Sequence, residues 1–238
     1  MSYIGKTPTA VPLTSSDIAD DIINSTHIGD TAISGFSALE TAPADTDEFL
    51  ISDGGVLKRL DASLVGGSET HTKLITTTVS GSSVSSIDFN STYITSTYTN
   101  YMLIFNLFPV NDGAIPLMRF SASSTFNTGA SAYGHAFYGD GGTDANDNDR
   151  GSIEMGGGVG TATGEVASGH ALVMGISTAT MFTSMVHNTS NITTGAAHGY
   201  RVGGGCLNQA EVNDGIRIFF DSGNIEVGSK ITLYGINQ

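Results

Sequence analysis

The sequence predicts an all-β protein: an antiparallel, jelly-roll-like β-sandwich preceded by a thin N-terminal segment. Three observations predict it. From Thr72 onward, short apolar or β-branched runs are separated by clusters of Gly, Asn, Asp, Ser and Thr, the pattern of sandwiches and barrels. No long amphipathic helical pattern alternates with those runs, which argues against a parallel α/β sheet. Charged residues make up only 13% of the chain while Gly numbers 31 of 238 residues, and a low-charge, Gly- and Thr-rich chain suits a β scaffold with long surface loops.

Two domains follow from a change in composition: residues 1–70 and residues 71–238. In the second, the strand-like runs come in order. They are 73–79 (KLITTTV), 101–108 (YMLIFNLF), 115–120 (IPLMRF), 171–176 (ALVMGI), 181–186 (MFTSMV), 215–220 (GIRIFF) and 229–234 (SKITLY). The run 101–108 is nearly continuous in apolar residues, as in a strand buried on both faces or at a sandwich core. No Lys or Arg occurs between Leu74 and Met118, as expected of a span that is largely interior. Residues 127–164, rich in Gly and Asp, and residues 188–213, rich in Gly and Asn, read as long loops that are either functional or disordered.

The first domain differs in kind. Between Thr7 and Leu57 there are acids but no Lys or Arg. Ser16 and Asp17 suit the cap of a short helix over 17–23, and the spacing of Ile18, Ile22 and Ile23 makes one apolar stripe. Ile28 and Ile33 continue the apolar series beyond Gly29. So short a segment has no core in which to bury its isoleucines. Two readings stay open: it packs against identical segments of other chains as a trimerisation element, or it folds back as an arm on its own domain. Residues 49–60 (FLISDGGVLKRL) place Asp53-Gly54-Gly55 between two apolar runs, a hairpin signal. Residues 61–64 suit one short turn, and Gly66-Gly67-Ser68 reads as a linker.

Composition excludes several functions. Acids outnumber Lys and Arg by 23 to 9, for a net charge of −14, so no basic stripe is present to meet nucleic-acid phosphates. No apolar run reaches the about 18 residues of a membrane span, and the N-terminus lacks the apolar core of a secretory signal. Without that signal, the Asn-x-Ser/Thr sequons at Asn24, Asn90, Asn188 and Asn191 carry no glycosylation reading. The single Cys206 allows no internal disulfide and points to assembly in a reducing cytoplasm.

Candidate chemistry is sparse. Residues 156–161 (GGGVGT) lack the Gly-Lys-Ser/Thr ending and the following helix of a phosphate loop, so a mobile or tightly packed glycine loop is the stronger reading. The six histidines show no zinc-helix spacing. Asp144, Asp147 and Asp149 form an oxygen-rich cluster that suits Ca²⁺ or a solvated acidic loop, and EF-hand spacing fails there. No complete ligand set is present, and the fold is predicted to need no metal or organic cofactor. Glu154 and Glu165 are the acids a glycosidase reading would use. Tyr133, His135, Tyr138 and Tyr200 offer stacking faces and hydrogen-bonding groups for a surface ligand.

Several motifs resemble the C-terminal β-domain of tailed-bacteriophage tail fibres, head fibres and related virion proteins. They are residues 94–105 (ITSTYTNYMLIF), 109–113 (PVNDG), 117–120 (LMRF), Ser131-Ala132-Tyr133 and the terminal 228–236 (GSKITLYGI). Residues 47–59 (DEFLISDGGVLKR) resemble the short hairpin modules found upstream in such fibres. The resemblance implies a non-enzymatic virion structural protein, made in the host cytoplasm. It would be a homotrimeric fibre or spike, held by its N-terminus to other virion proteins of tail or capsid, with host-surface glycan or protein as its ligand. Tyr133, His135, Tyr138 and Tyr200 are then expected receptor contacts. A mainly structural capsid decoration or head fibre is the alternative, which the modest length of the chain favours, and a carbohydrate depolymerase is a further one.

Overall fold

The computed structural model describes residues 43–44, 46–54, 56–65, 70–139 and 145–236. The helix expected at 17–23 and the isoleucines Ile18, Ile22, Ile23, Ile28 and Ile33 lie outside the described residues. The chain forms two compact units, Met1–Gly67 and Ser68–Gln238.

In the first unit, β1 (Glu48–Asp53) pairs antiparallel with β2 (Val56–Asp61), with Asp53 opposite Val56. Gly54 takes φ +61°, the left-handed conformation that tight hairpin turns demand. A 3-10 turn, Ala62–Leu64, follows where the sequence suggested a short turn. Arg59 pairs with Glu48 at 2.9 Å across the hairpin. Leu50 and Val56 are 74% and 59% exposed: among the described residues of this unit the two-stranded hairpin has no second layer.

The second unit is an antiparallel β-sandwich of unequal sheets. The larger contains β3 (His71–Thr78), β5 (Asn100–Leu107), β8 (Tyr133–Gly139), β9 (Ala145–Arg150), β11 (Ala167–Met174), β12 (Ser184–Ile192), β13 (His198–Leu207) and β15 (Lys230–Ile236), in the order β3-β15-β5-β11-β12-β13-β8-β9. The smaller contains β4 (Ile87–Phe89), β6 (Pro116–Ala122), β10 (Ile153–Glu154) and β14 (Gly215–Phe220), in the order β10-β6-β14-β4, with β7 (Thr125–Phe126) paired to β6. The chain passes repeatedly between the sheets, so most sheet neighbours are distant in sequence.

Side-chain alternation explains the core. Tyr101, Leu103, Phe105 and Leu107 of β5 and Ile231 and Leu233 of β15 point inward, where they are buried with Met118 and Phe120 of β6 and Ile216 and Ile218 of β14. Each such side chain contributes about 1.5–3 kcal/mol by leaving water. Of the two readings of residues 101–108, the sandwich-core strand is the observed one: Ile104, on the outward face, remains 45% exposed. Where β5 and β15 lie side by side, Tyr101 opposes Gly235. Tyr98 packs edge-on against Tyr101, with ring centroids 5.9 Å apart. A Cβ at position 235 would sit 2.6 Å from the Tyr98 ring, so only glycine leaves room for it. The Tyr101 hydroxyl accepts from Thr95 N–H at 2.8 Å and lies 3.0 Å from Thr95 O.

The two expected long loops are corrected by the structure. Residues 127–164 contain β8, β9 and β10, and residues 188–213 contain most of β12 and all of β13. Their strands carry Gly and polar side chains at inward positions, so they lack the apolar alternation that marks a half-buried strand.

Candidate functional site

The inner face of the large sheet changes character along its width. On β5, β11 and β15 it is apolar. On β12 the inward residues are Met185, His187, Thr189 and Asn191, all buried. The chain segment after β10 meets two of their polar groups, while His187 Nε2 and Asn191 Oδ1 are buried without a hydrogen-bond partner. Thr189 Oγ1 donates to Met155 O at 2.5 Å, and Asn191 Nδ2 donates to Gly158 O at 3.1 Å. That segment is the glycine run of the sequence. A Cβ at Gly158 would lie 2.9 Å from Gly113 O, and Val159 N–H donates to Ala114 O at 3.0 Å. The packed-loop reading therefore holds: Gly158 O is taken up by β12, and Val159 O accepts from Gly113 N–H at 2.8 Å.

Beside it sits a charged pair. Arg201 of β13 donates through Nη1 to Glu154 Oε2 of β10 at 2.5 Å and to Gly156 O at 2.8 Å. Its guanidinium lies 4.0 Å from the centroid of the Phe137 ring, so one face is covered by an aromatic surface. Arg150 Nη1 approaches the other Glu154 oxygen at 4.0 Å. His135 packs edge-on against Phe137 at 5.4 Å between centroids. Its Nδ1 accepts from Glu154 N–H at 3.3 Å, which leaves Nε2 as the protonated nitrogen of the neutral ring. That Nε2 has no hydrogen-bond partner. A cavity of about 160 Å³ adjoins this group, lined by His135, Arg150, Glu154 and Asp221 among others.

Burial lowers the proton affinity of two histidines here. Burial pushes His187 down to about 4, with Arg201, His135 and His170 lowering it further. Burial likewise lowers His135, while Glu154 pulls the other way. The His187 tautomer follows from its neighbour. Thr189 uses its only hydroxyl proton on Met155 O, so His187 Nδ1, 3.3 Å away, must be the donor between them.

The four expected receptor contacts are split between two faces. Tyr133 and His135 point inward and are buried. The Tyr133 hydroxyl accepts from Phe120 N–H at 2.9 Å and lies 3.2 Å from Asn127 O, and burial raises the phenol to about 12. A Tyr133→Phe substitution leaves the Phe120 N–H unsatisfied in the core. It is expected to cost about 1–3 kcal/mol in a urea titration, and an unchanged midpoint would show that the bond contributes nothing. Tyr138 and Tyr200 point outward, 53% and 37% exposed, with ring centroids 6.4 Å apart. They belong to β8 and β13, so these side chains stand on rigid strands instead of loop tips.

The remaining candidates are dispersed. Asp144 lies outside the described residues. Asp147 accepts from Asp149 N–H at 2.9 Å and pairs with Arg150 Nε at 2.7 Å. The Asp149 N–H bond is the main factor that lowers the Asp147 carboxyl below its ordinary value. Among the described residues, no group of three or more His, Cys, Asp or Glu side chains is placed to hold a metal ion. Glu154 and Glu165 line different cavities. Glu165 is buried and its carboxylate accepts from Ala162 N–H at 2.8 Å and Ala196 N–H at 2.9 Å, which ties two loops together. Sequence reasoning missed Arg201, His187 and Thr189. The available signal was a run of alternating polar residues, 185–191, in which the buried set is mostly polar. No family model, curated protein or solved structure matches this chain.

Proposed function

We propose that the chain is a fibre or spike protein of a bacteriophage virion, a homotrimer attached to the particle through residues 1–70, whose sandwich contacts a host-surface glycan or protein. The observation that carries this reading is the joining of the first and last motifs of the C-terminal-domain resemblance. The Tyr98–Tyr101 stretch and the closing Tyr234-Gly235-Ile236 stretch meet across β5 and β15, with Gly235 left bare for the Tyr98 ring. The exposed hairpin of the first unit supports it too, since Leu50 and Val56 offer apolar area that a neighbouring chain would take out of water.

Within this reading the host-contact residues are Tyr138 and Tyr200, the exposed aromatic pair on a rigid sheet. Tyrosine combines stacking area with a hydroxyl and suits sugars and protein surfaces alike. A Tyr138→Ala, Tyr200→Ala double variant is expected to lose adsorption to host cells by about tenfold or more while its melting curve stays close to that of the parent. Adsorption equal to the parent's removes the pair from the receptor site. Immunogold labelling of particles tests the wider reading: absence from the virion overturns it, and tail or capsid labelling assigns the location.

A further inference from the structure

The outer face of the large sheet is almost free of charge. At the outward positions of β15, β5, β11, β12, β13 and β8 there is no Asp, Glu or Arg; the permanent charges are Lys230 at one corner and, on the neighbouring edge strand β3, Lys73 opposite Tyr234. The chain as a whole carries −14. One register row across this face reads Tyr234–Met102–Leu172–Val186, each residue directly opposite the next. Ile104, Val186 and Val202 are 45%, 46% and 46% exposed. A shallow groove of about 570 Å³ runs over Met102, Leu172, Val186 and Val202.

We propose that this face is the self-association surface of the protein, covered by a second copy of the same chain. The proposal rests on the homo-oligomeric reading above and assigns its interface. The argument is electrostatic and geometric. A chain this acidic repels its own copies, so a surface that meets an identical neighbour must exclude acids. A basic or acidic partner would instead select for opposite charge across the face, and this one offers only two lysines at one edge. Six strands about 4.8 Å apart, with about seven residues each at about 3.3 Å, project roughly 550 Å². Side-chain relief raises the accessible area above that, toward the about 800 Å² per partner of a standard interface. Tyr138, directly opposite Val202, and Tyr200 stand on this same face at the ends of β8 and β13, so the copy that covers Val202 must stop short of the pair to leave it for a receptor.

The test uses the full chain at micromolar concentration, with mass from sedimentation equilibrium and side-chain protection from hydroxyl-radical oxidation at Met102 and Tyr234. The expected result is an oligomer in which both residues are protected. An Ile104→Glu, Val186→Asp variant places acids in every copy of the face. It is expected to lose that protection and to associate about tenfold or more weakly, with an unchanged circular dichroism spectrum. Val202→Asp serves as a second variant should the first fail to fold. Loss of protection supports the proposal even if residues 1–70 still hold the copies together. An oligomer with Met102 and Tyr234 unprotected, or a variant with protection intact, overturns the interface and leaves the homo-oligomer standing. A monomer with both residues protected shows a segment of the same chain on the face and overturns the proposal. A monomer without protection overturns the homo-oligomer as well.

Discussion

Replacing Arg201 by Met is expected to lower the unfolding free energy by about 3 kcal/mol. Arg201 and Glu154 have side chains only 21% and 16% exposed, with charges 2.5 Å apart. Without the guanidinium, Glu154 keeps only Arg150 at 4.0 Å, and Gly156 O loses its donor. An ion left buried without its partner is the costly state, whereas removing both charges is far milder. An Arg201→Met, Glu154→Gln double variant is therefore expected to be more stable than Arg201→Met alone. Chemical denaturation of the four proteins in the cycle reads the coupling directly. Single and double variants that simply add would show that water already satisfies both groups.

Acid is expected to weaken the fold through His187. Its folded value near 4 lies below the about 6.5 of an unfolded histidine. The unfolded chain then binds the proton first as pH falls, so stability is present above about 6.5 and is lost on the way down to about 4. The full difference corresponds to about 3 kcal/mol. His135 is shifted downward as well and adds in the same direction. Carboxylates titrate in the same window, so the parent is compared with His187→Gln, which lacks the group. Urea midpoints at pH 7 and pH 4.5 are expected to differ less in the variant. Equal pH sensitivity in both proteins would mean that His187 is protonated without unfolding.

The strands legible in the sequence are those whose inward residues are apolar. Residues 215–220 stood out because Ile216, Ile218 and Phe220 alternate into the core, and the observed β14 has those bounds. Tyr101–Leu107 was legible for the same reason, with the outward apolar residues Met102 and Ile104 blurring the alternation. β13 was not legible. Its inward positions include Arg201, Gly203 and Gly205, and at Gly205 the volume is filled from the other sheet: a Cβ there would meet Ile153 at 2.7 Å. A strand completed by a distant residue leaves no local pattern to read. The candidate site failed in a related way. Tyr133 and Tyr138 lie on one short strand, yet one is core and the other surface, because residues five apart in a strand point to opposite faces. The charged pair was hidden because Glu154 and Arg201 are 47 positions apart, and no local spacing announces such a partner.

The acidic run that suggested calcium has another consequence, set by where it falls. β9 is the last strand of the large sheet, and its outer side has no neighbour among the described strands. A free strand edge is a template on which another molecule can add a strand, the first step toward fibrillar precipitation. Here the edge is armed with Asp147, Asp149 and Arg150, the last two exposed. The opposite edge, β3, carries the exposed Lys73 amid its threonines. Charged edges make end-on growth of the sheet unfavourable. The polypeptide can then accumulate to high local concentration during synthesis without its sheets propagating into one another.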